Sequence, residues 1–164
     1  MVQSNHKESF KLLIEAAKSN GFLSRRAVGK ESLEDIDLVI WSEEASNKVF
    51  AVALKKTLLK KSSKRRHLWG WVELNDKYGN AGWIYKKCTF IAYERKDDFV
   101  LLHKSDLRNW IQANNIARWD LPFVSNSWGA SYRLYRRPNT KEAIFQIKIS
   151  DAIKNCRHHF WKKQ

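Results

Sequence analysis

The sequence predicts an α/β (α+β) fold in a single domain, residues 1–164, with a central mixed β-sheet flanked by helices. Three observations carry that expectation. An amphipathic helical repeat opens the chain, short apolar runs broken by polar turns follow it, and a second helical repeat comes after them. With 43% hydrophobic and 13% aromatic residues, a chain of this length can bury a real core.

Phe10, Leu13, Ile14 and Ala17 fall at i, i+3, i+4 and i+7, with Ser4 placed to cap the helix and Gly21 to stop it. Residues 22–28, 35–41, 48–55, 88–95 and 99–103 read as strands. Ser105 to Asn114 reads as a helix with Leu107, Trp110 and Ile111 on one face. The core is expected over residues 4–114, and a basic C-terminal extension over 115–164. Two prolines, six glycines and no internal repeat give no reason to divide the chain.

The chemistry sits on two neighbouring runs. Glu34-Asp35-Ile36-Asp37-Leu38-Val39-Ile40-Trp41 is followed by Val49-Phe50-Ala51-Val52-Ala53-Leu54-Lys55-Lys56. Side chains alternate along a strand, so Asp35, Asp37, Val39 and Trp41 share one face of the first, and Ala51, Ala53 and Lys55 one face of the second. A hairpin bent around residues 42–48 would bring Asp37 beside position 53. Surface placement of both Asp37 and Lys55 is the competing reading, since both types are commonly exposed.

An acid on one strand and an acid-x-Lys on the next resembles the PD-(D/E)XK nuclease superfamily, with Ala53 where the second acid stands. Downstream, Leu68-Trp69-Gly70-Trp71-Val72-Glu73-Leu74, then Gly79-Asn80-Ala81-Gly82-Trp83-Ile84-Tyr85-Lys86, then Thr89-Phe90-Ile91-Ala92-Tyr93-Glu94 are similar to phage and bacterial members in type and order. The resemblance covers residues 8–114 and implies a restriction-endonuclease-like αβββαβ core. It implies a Mg²⁺-dependent DNA endonuclease, with Mn²⁺ as substitute, of restriction-like, homing or junction-resolving type. Asp37 would hold the metal, the acid absent at Ala53 would share it, Glu73 would add a carboxylate, and Lys55 would assist the attacking water. Mg²⁺ prefers several oxygen ligands, so one carboxylate alone is a weak site. Small members of the superfamily commonly act as homodimers or higher homo-oligomers.

Two origins of Ala53 fit this pattern. It is an alanine substituted for the catalytic acid, leaving the protein inactive, or the mark of a degenerate nuclease that binds nucleic acid without cutting it. The intact Asp, Lys and strand context favours the first.

The charge points the same way. Net +14, from 31 Lys and Arg against 17 Asp and Glu, predicts attraction to polyanions, with DNA the first candidate. Lys55, Lys56, Lys60, Lys61, Lys64, Arg65 and Arg66 follow one another with no intervening acid, as a phosphate-tracking loop would or as a solvated one. Arg133, Arg136 and Arg137 interleave with Tyr132 and Tyr135; on a strand they would present guanidinium groups on both faces. Arg26 and Ser32 lie in the polar loop before Asp35, where an exposed loop position is the favoured reading and contact with a scissile strand the competing one. Adjacent His158 and His159 lack the pattern of an HNH nuclease and point apart on a helix.

Several classes are excluded at this level. No apolar stretch approaches membrane-spanning length and no signal core follows Met1, so an intracellular, soluble protein with no membrane partner is expected. Cys88 and Cys156 are expected as isolated thiols. No Gly-rich phosphate loop or dinucleotide fingerprint appears, so no nucleotide cofactor is expected.

Overall fold

The computed structural model describes residues 6–45, 47–62 and 65–164. The fold is mixed α+β, with eight strands and four α-helices among the described residues. It resolves into two compact units. The first comprises residues 1–55, 87–102 and 158–164, the second residues 56–86 and 103–157.

In the first unit, helix α1 (His6–Ser19) leads into strand β1 (Phe22–Arg26) through Gly21, whose φ of 80° is the left-handed turn that ends the helix. After a four-residue helix, α2 (Lys30–Leu33), come β2 (Leu38–Ser42) and the long β3 (Val49–Ser62), joined by the expected hairpin. Strands β5 (Phe90–Glu94), β6 (Asp98–His103) and β8 (His158–Lys162) extend the sheet in the order β1-β2-β3-β5-β6-β8. The apolar face of α1 covers it: Phe10, Leu13, Ala16 and Ala17 bury against Leu38, Ile40, Val52, Leu54, Phe99 and Leu101. Glu94 ties three elements together, accepting from Ser9 Oγ at 2.7 Å and Lys163 Nζ at 3.0 Å.

In the second unit, the distal half of β3 pairs with β4 (Arg65–Asn75), and β4 pairs with β7 (Ala143–Lys148), both antiparallel. Helices α3 (Lys104–Ala113) and α4 (Ile149–Asn155) complete it. Asp106 joins the ends of these helices, accepting from the backbone and the guanidinium of Arg157 at 2.9 to 3.0 Å. That bond set holds the Asp106 carboxyl down at about 2. The Gly-Trp-Ile-Tyr segment is a 3-10 turn (Trp83–Tyr85) docked on β4: Gly82 N–H donates to Leu74 O at 2.8 Å. A Cβ at Gly82 would run into the Glu73 carbonyl, so glycine is required by the close backbone approach.

Several boundaries move. The strand expected from residue 35 begins at Leu38, because Asp35 takes a left-handed φ of 57° in the turn after α2. The strand expected over 48–55 runs on to Ser62. The tail is no mere extension beyond a core ending at 114: β7 and α4 belong to the second unit, and β8 pairs with β6 in the first. Arg133 to Arg137 do not form a strand. Their backbone is a loop tied by isolated bridges at Tyr135, so the alternating-face arrangement fails there. Ser4, the expected cap, lies outside the described residues. No helix is long and apolar enough to cross a membrane, among the described residues.

Replacing Gly82 by alanine is expected to cost about 1–3 kcal/mol, since the methyl would overlap backbone that cannot retreat as a flexible side chain would. Urea denaturation of the two proteins measures it. Stability should also fall between the ordinary carboxylate range and about pH 2, as Asp106 protonates and releases Arg157, and Asp106→Asn should lose that part of the acid dependence.

Candidate functional site

Asp37 stands beside Ala53, as the hairpin reading requires. The pairing of Leu38 with Val52 places it there. Asp37 N–H donates to Val52 O at 2.9 Å, and Leu54 N–H donates to Asp37 Oδ2 at 2.7 Å. The aspartate therefore grips the backbone on both sides of Ala53. Alternation along β3 turns Val52 and Leu54 into the apolar cluster and sends Ala53 and Lys55 to the opposite face.

Lys55 Nζ lies 3.8 Å from Asp35 Oδ1. Asp35 reaches it from the turn rather than from a strand, its left-handed backbone aiming the carboxylate at the lysine. Asp35 and Asp37 also line a cleft of about 240 Å³ together with His6, Lys7, Arg26 and Ser32. The turn that carries Arg26 and Ser32 is held by a local bracket: Arg25 donates to both Glu31 carboxylate oxygens at 2.6 and 2.7 Å, and Val28 N–H donates to Glu31 at 3.1 Å. The Arg25 guanidinium holds the Glu31 carboxyl down at about 2. Arg26 lays its guanidinium over the Phe10 ring, 4.5 Å from the centroid. Two of the residues singled out in sequence, Arg26 and Ser32, thus meet Asp37 at one cleft. His6 and Lys7 join them without any signal in the sequence, because a helix N-terminus distant along the chain carries no local mark of its neighbours.

The cleft combines acceptor carboxylates with guanidinium, ammonium and imidazole donors, a surface suited to an oxyanion. It does not supply a metal's donor set. Position 53 offers a methyl group with 0% exposure, and one Asp37 oxygen is committed to Leu54. No three His, Cys, Asp or Glu side chains come together as a metal-holding group among the described residues. The residues as they stand do not fit Mg²⁺, which takes octahedral oxygen coordination.

Glu73 belongs to the second unit. Its Oε1 accepts from Trp83 N–H at 3.3 Å, which caps the 3-10 turn and gives the carboxylate a structural task. Of the basic run, Lys56 and Arg66 are exposed. Lys61 and Arg65 pair in backbone register with Arg66 and Ser62, and Lys64 lies outside the described residues.

Lys60 corrects the phosphate reading. It is 7% exposed, donating to Trp128 O at 2.8 Å and Ser131 Oγ at 2.9 Å, with its ammonium 5.0 Å from the Trp69 ring centroid. Its position on β3 puts it on the inward face, so it anchors the 127–131 loop instead of meeting solvent. Arg133 donates to Pro122 O, Arg136 donates to Glu142 O, and Arg137 pairs with Glu142 at 3.3 Å. His159 packs edge-on against Phe90, and Cys88 and Cys156 are buried thiols not joined in a disulfide, burial pushing Cys156 up to about 11.

No family model, curated protein or solved structure matches the chain.

Asp37→Ala should destabilise the protein by about 1 kcal/mol more than Asp37→Asn, because asparagine keeps an acceptor for Leu54 N–H; chemical denaturation of both variants checks this. Burial lowers the Lys60 pKa, so the folded state binds that proton less tightly than the unfolded chain. Relative to Lys60→Met, the parent should gain stability as pH rises through the folded pKa toward the ordinary lysine value. Parallel stability curves would rule this out.

Proposed function

We propose that this chain binds nucleic acid on a PD-(D/E)XK-type endonuclease scaffold whose cleaving site lacks its second carboxylate at Ala53. The observation that carries the reading is the Asp37–Ala53–Lys55 arrangement. Asp37 is locked by two backbone hydrogen bonds beside position 53, and Lys55 follows two residues later on the same face. The Leu54 bond fixes where the Asp37 carboxylate stands, as a positioned reacting group requires.

In this reading Arg26, Lys7 and His6 receive a backbone phosphate in the cleft. Asp37 and Lys55 flank the place where an acid at position 53 would complete the chemistry. DNA is the expected partner, given the net charge of +14. Hydrolysis of phosphodiesters is the activity for which the scaffold is built, and binding is what the chain retains. A purely binding role is favoured by one observation, the complete burial of Ala53. A carboxylate introduced there must reach the cleft or remain buried at a cost of several kcal/mol.

The test is Ala53→Glu beside the parent, assayed on plasmid and branched DNA with Mg²⁺, Mn²⁺ and EDTA, with thermal unfolding of both proteins. Mg²⁺-dependent cleavage by the variant alone is expected. A folded variant that cleaves nothing removes the endonuclease reading and leaves the binding protein. Separately, replacing Lys61, Lys64, Arg65 and Arg66 by alanine should flatten the slope of log affinity against log salt by up to about 0.9 for each phosphate that is no longer neutralised. An unchanged slope takes that segment out of the interface.

A further inference from the structure

The two units divide the charge unequally. Residues 56–86 and 103–157 hold 18 of the 31 Lys and Arg but 6 of the 17 Asp and Glu, a net +12 of the chain's +14. The first unit, with 13 basic against 11 acidic residues, is nearly balanced. Long-range attraction for a polyanion therefore resides in the second unit rather than in the one that carries Asp37.

That unit also exposes several aromatics, two of them at one groove. A groove of about 690 Å³ is bordered by Tyr85 and Trp119, with Ile111 and Leu74 among its apolar lining. Tyr85 is 43% exposed and Trp119 53%, so both rings are accessible to a ligand. The Arg108 guanidinium lies 5.2 Å from the Tyr85 ring centroid, and Arg108 has no carboxylate partner among the described residues. Trp119 stands 5.9 Å from Phe123, whose ring in turn carries Arg136 at 4.6 Å. Tyr85 thus carries a guanidinium over its own ring, and Trp119 neighbours a second ring, Phe123, that carries one.

Gln112 and Asn115 add exposed amides at the edge, able both to donate and to accept. Two non-glycine residues beside the groove, Asn115 (φ 49°) and Ala117 (φ 55°), hold left-handed backbone. Ala117 carries no side chain that profits from this conformation, and the chain keeps it while shaping the segment that presents Trp119.

We infer that this groove is a binding site for unpaired bases of a single nucleic-acid strand. Bases stack against Trp119 and Tyr85, while Arg108 and its neighbours meet the backbone phosphates. Arg118 and Asp120 in the lining pair with each other, so the positive charge that a ligand answers is that of Arg108 beside Tyr85 and of the unit as a whole, which an apolar peptide would leave unanswered. Duplex DNA, with its bases already stacked on one another, would leave the rings unused. The site rests on the nucleic-acid-binding part of the function proposed above and is independent of cleavage.

The experiment is fluorescence anisotropy of the full chain with labelled 12-nucleotide oligodeoxythymidylate, oligouridylate and a blunt DNA duplex. Parent, Trp119→Ala, Tyr85→Ala and Trp119→Phe proteins are compared. Single strands should bind more tightly than duplex, and each alanine variant should weaken strand binding by roughly ten- to a hundredfold, with duplex binding retained. Trp119→Phe, which restores a stacking ring, should recover most of the loss. The tighter of the two strands assigns DNA or RNA as the source of the base. Strand affinity unchanged in both alanine variants, or an equal loss on duplex, overturns the inference. Cleavage by Ala53→Glu alongside unchanged strand affinity in Trp119→Ala removes the groove and keeps the nuclease reading; the opposite pair of results does the reverse.

Discussion

The alternation of side chains along β3 is the constraint on which the rest of this structure depends. In the first unit it commits Val52 and Leu54 to the apolar cluster under α1, and by the same step commits Ala53 and Lys55 to the other face. A slip of one residue would exchange these sets, taking Val52 and Leu54 out of the apolar cluster and turning a lysine into it. The Asp37 carboxylate reinforces the register, since it accepts from the Leu54 N–H. In the distal half of the same strand, alternation turns Lys60 inward, where its ammonium is held by Trp128 O and Ser131 Oγ between indole rings. One strand thereby sets the candidate site in one unit and a buried cation in the other.

Electrostatics and packing act on different parts of the molecule. The cleft beside Asp37 mixes both signs of charge, with Arg26 and Lys7 set beside two carboxylates. The second unit has a large excess of one sign and carries two rings, the exposed Tyr85 and the half-buried Phe123, with guanidinium groups over them. Attraction there is long-ranged and salt-sensitive, and stacking is short-ranged and indifferent to salt. If the proposed function holds, the two contributions separate with ionic strength.

The legible part of the fold is the part with local periodicity. The 3.6-residue repeat of Phe10, Leu13 and Ala17 places α1 to within a turn, and the apolar runs locate β2, β3, β5 and β6. Asp37 and Ala53 can be matched because a short hairpin leaves few ways to pair two strands. Lys60 is misleading in sequence because a lysine in a basic run looks solvated, and only the side chain's inward position on a long strand shows otherwise. Arg133 to Arg137 mislead for another reason: interleaved aromatic and basic residues carry the strand period without the backbone partners a strand requires. Nothing in the first turn of α1 or in the segment from Asn115 to Trp119 announces a cleft or a groove, since both assemble from residues far apart in sequence.

The mixed α+β class, the pairing of the Asp37 and Lys55 runs, the alanine standing between those two charges and the overall positive charge are all written in the linear chain. They follow from composition and short-range spacing, which hold without knowledge of distant contacts. Folding alone settles which cations are free to meet a ligand, which carboxylates are already engaged, and where the charge and exposed rings gather. Those properties depend on burial and on hydrogen-bond partners contributed by remote segments, and an extended chain does not specify them until those segments meet.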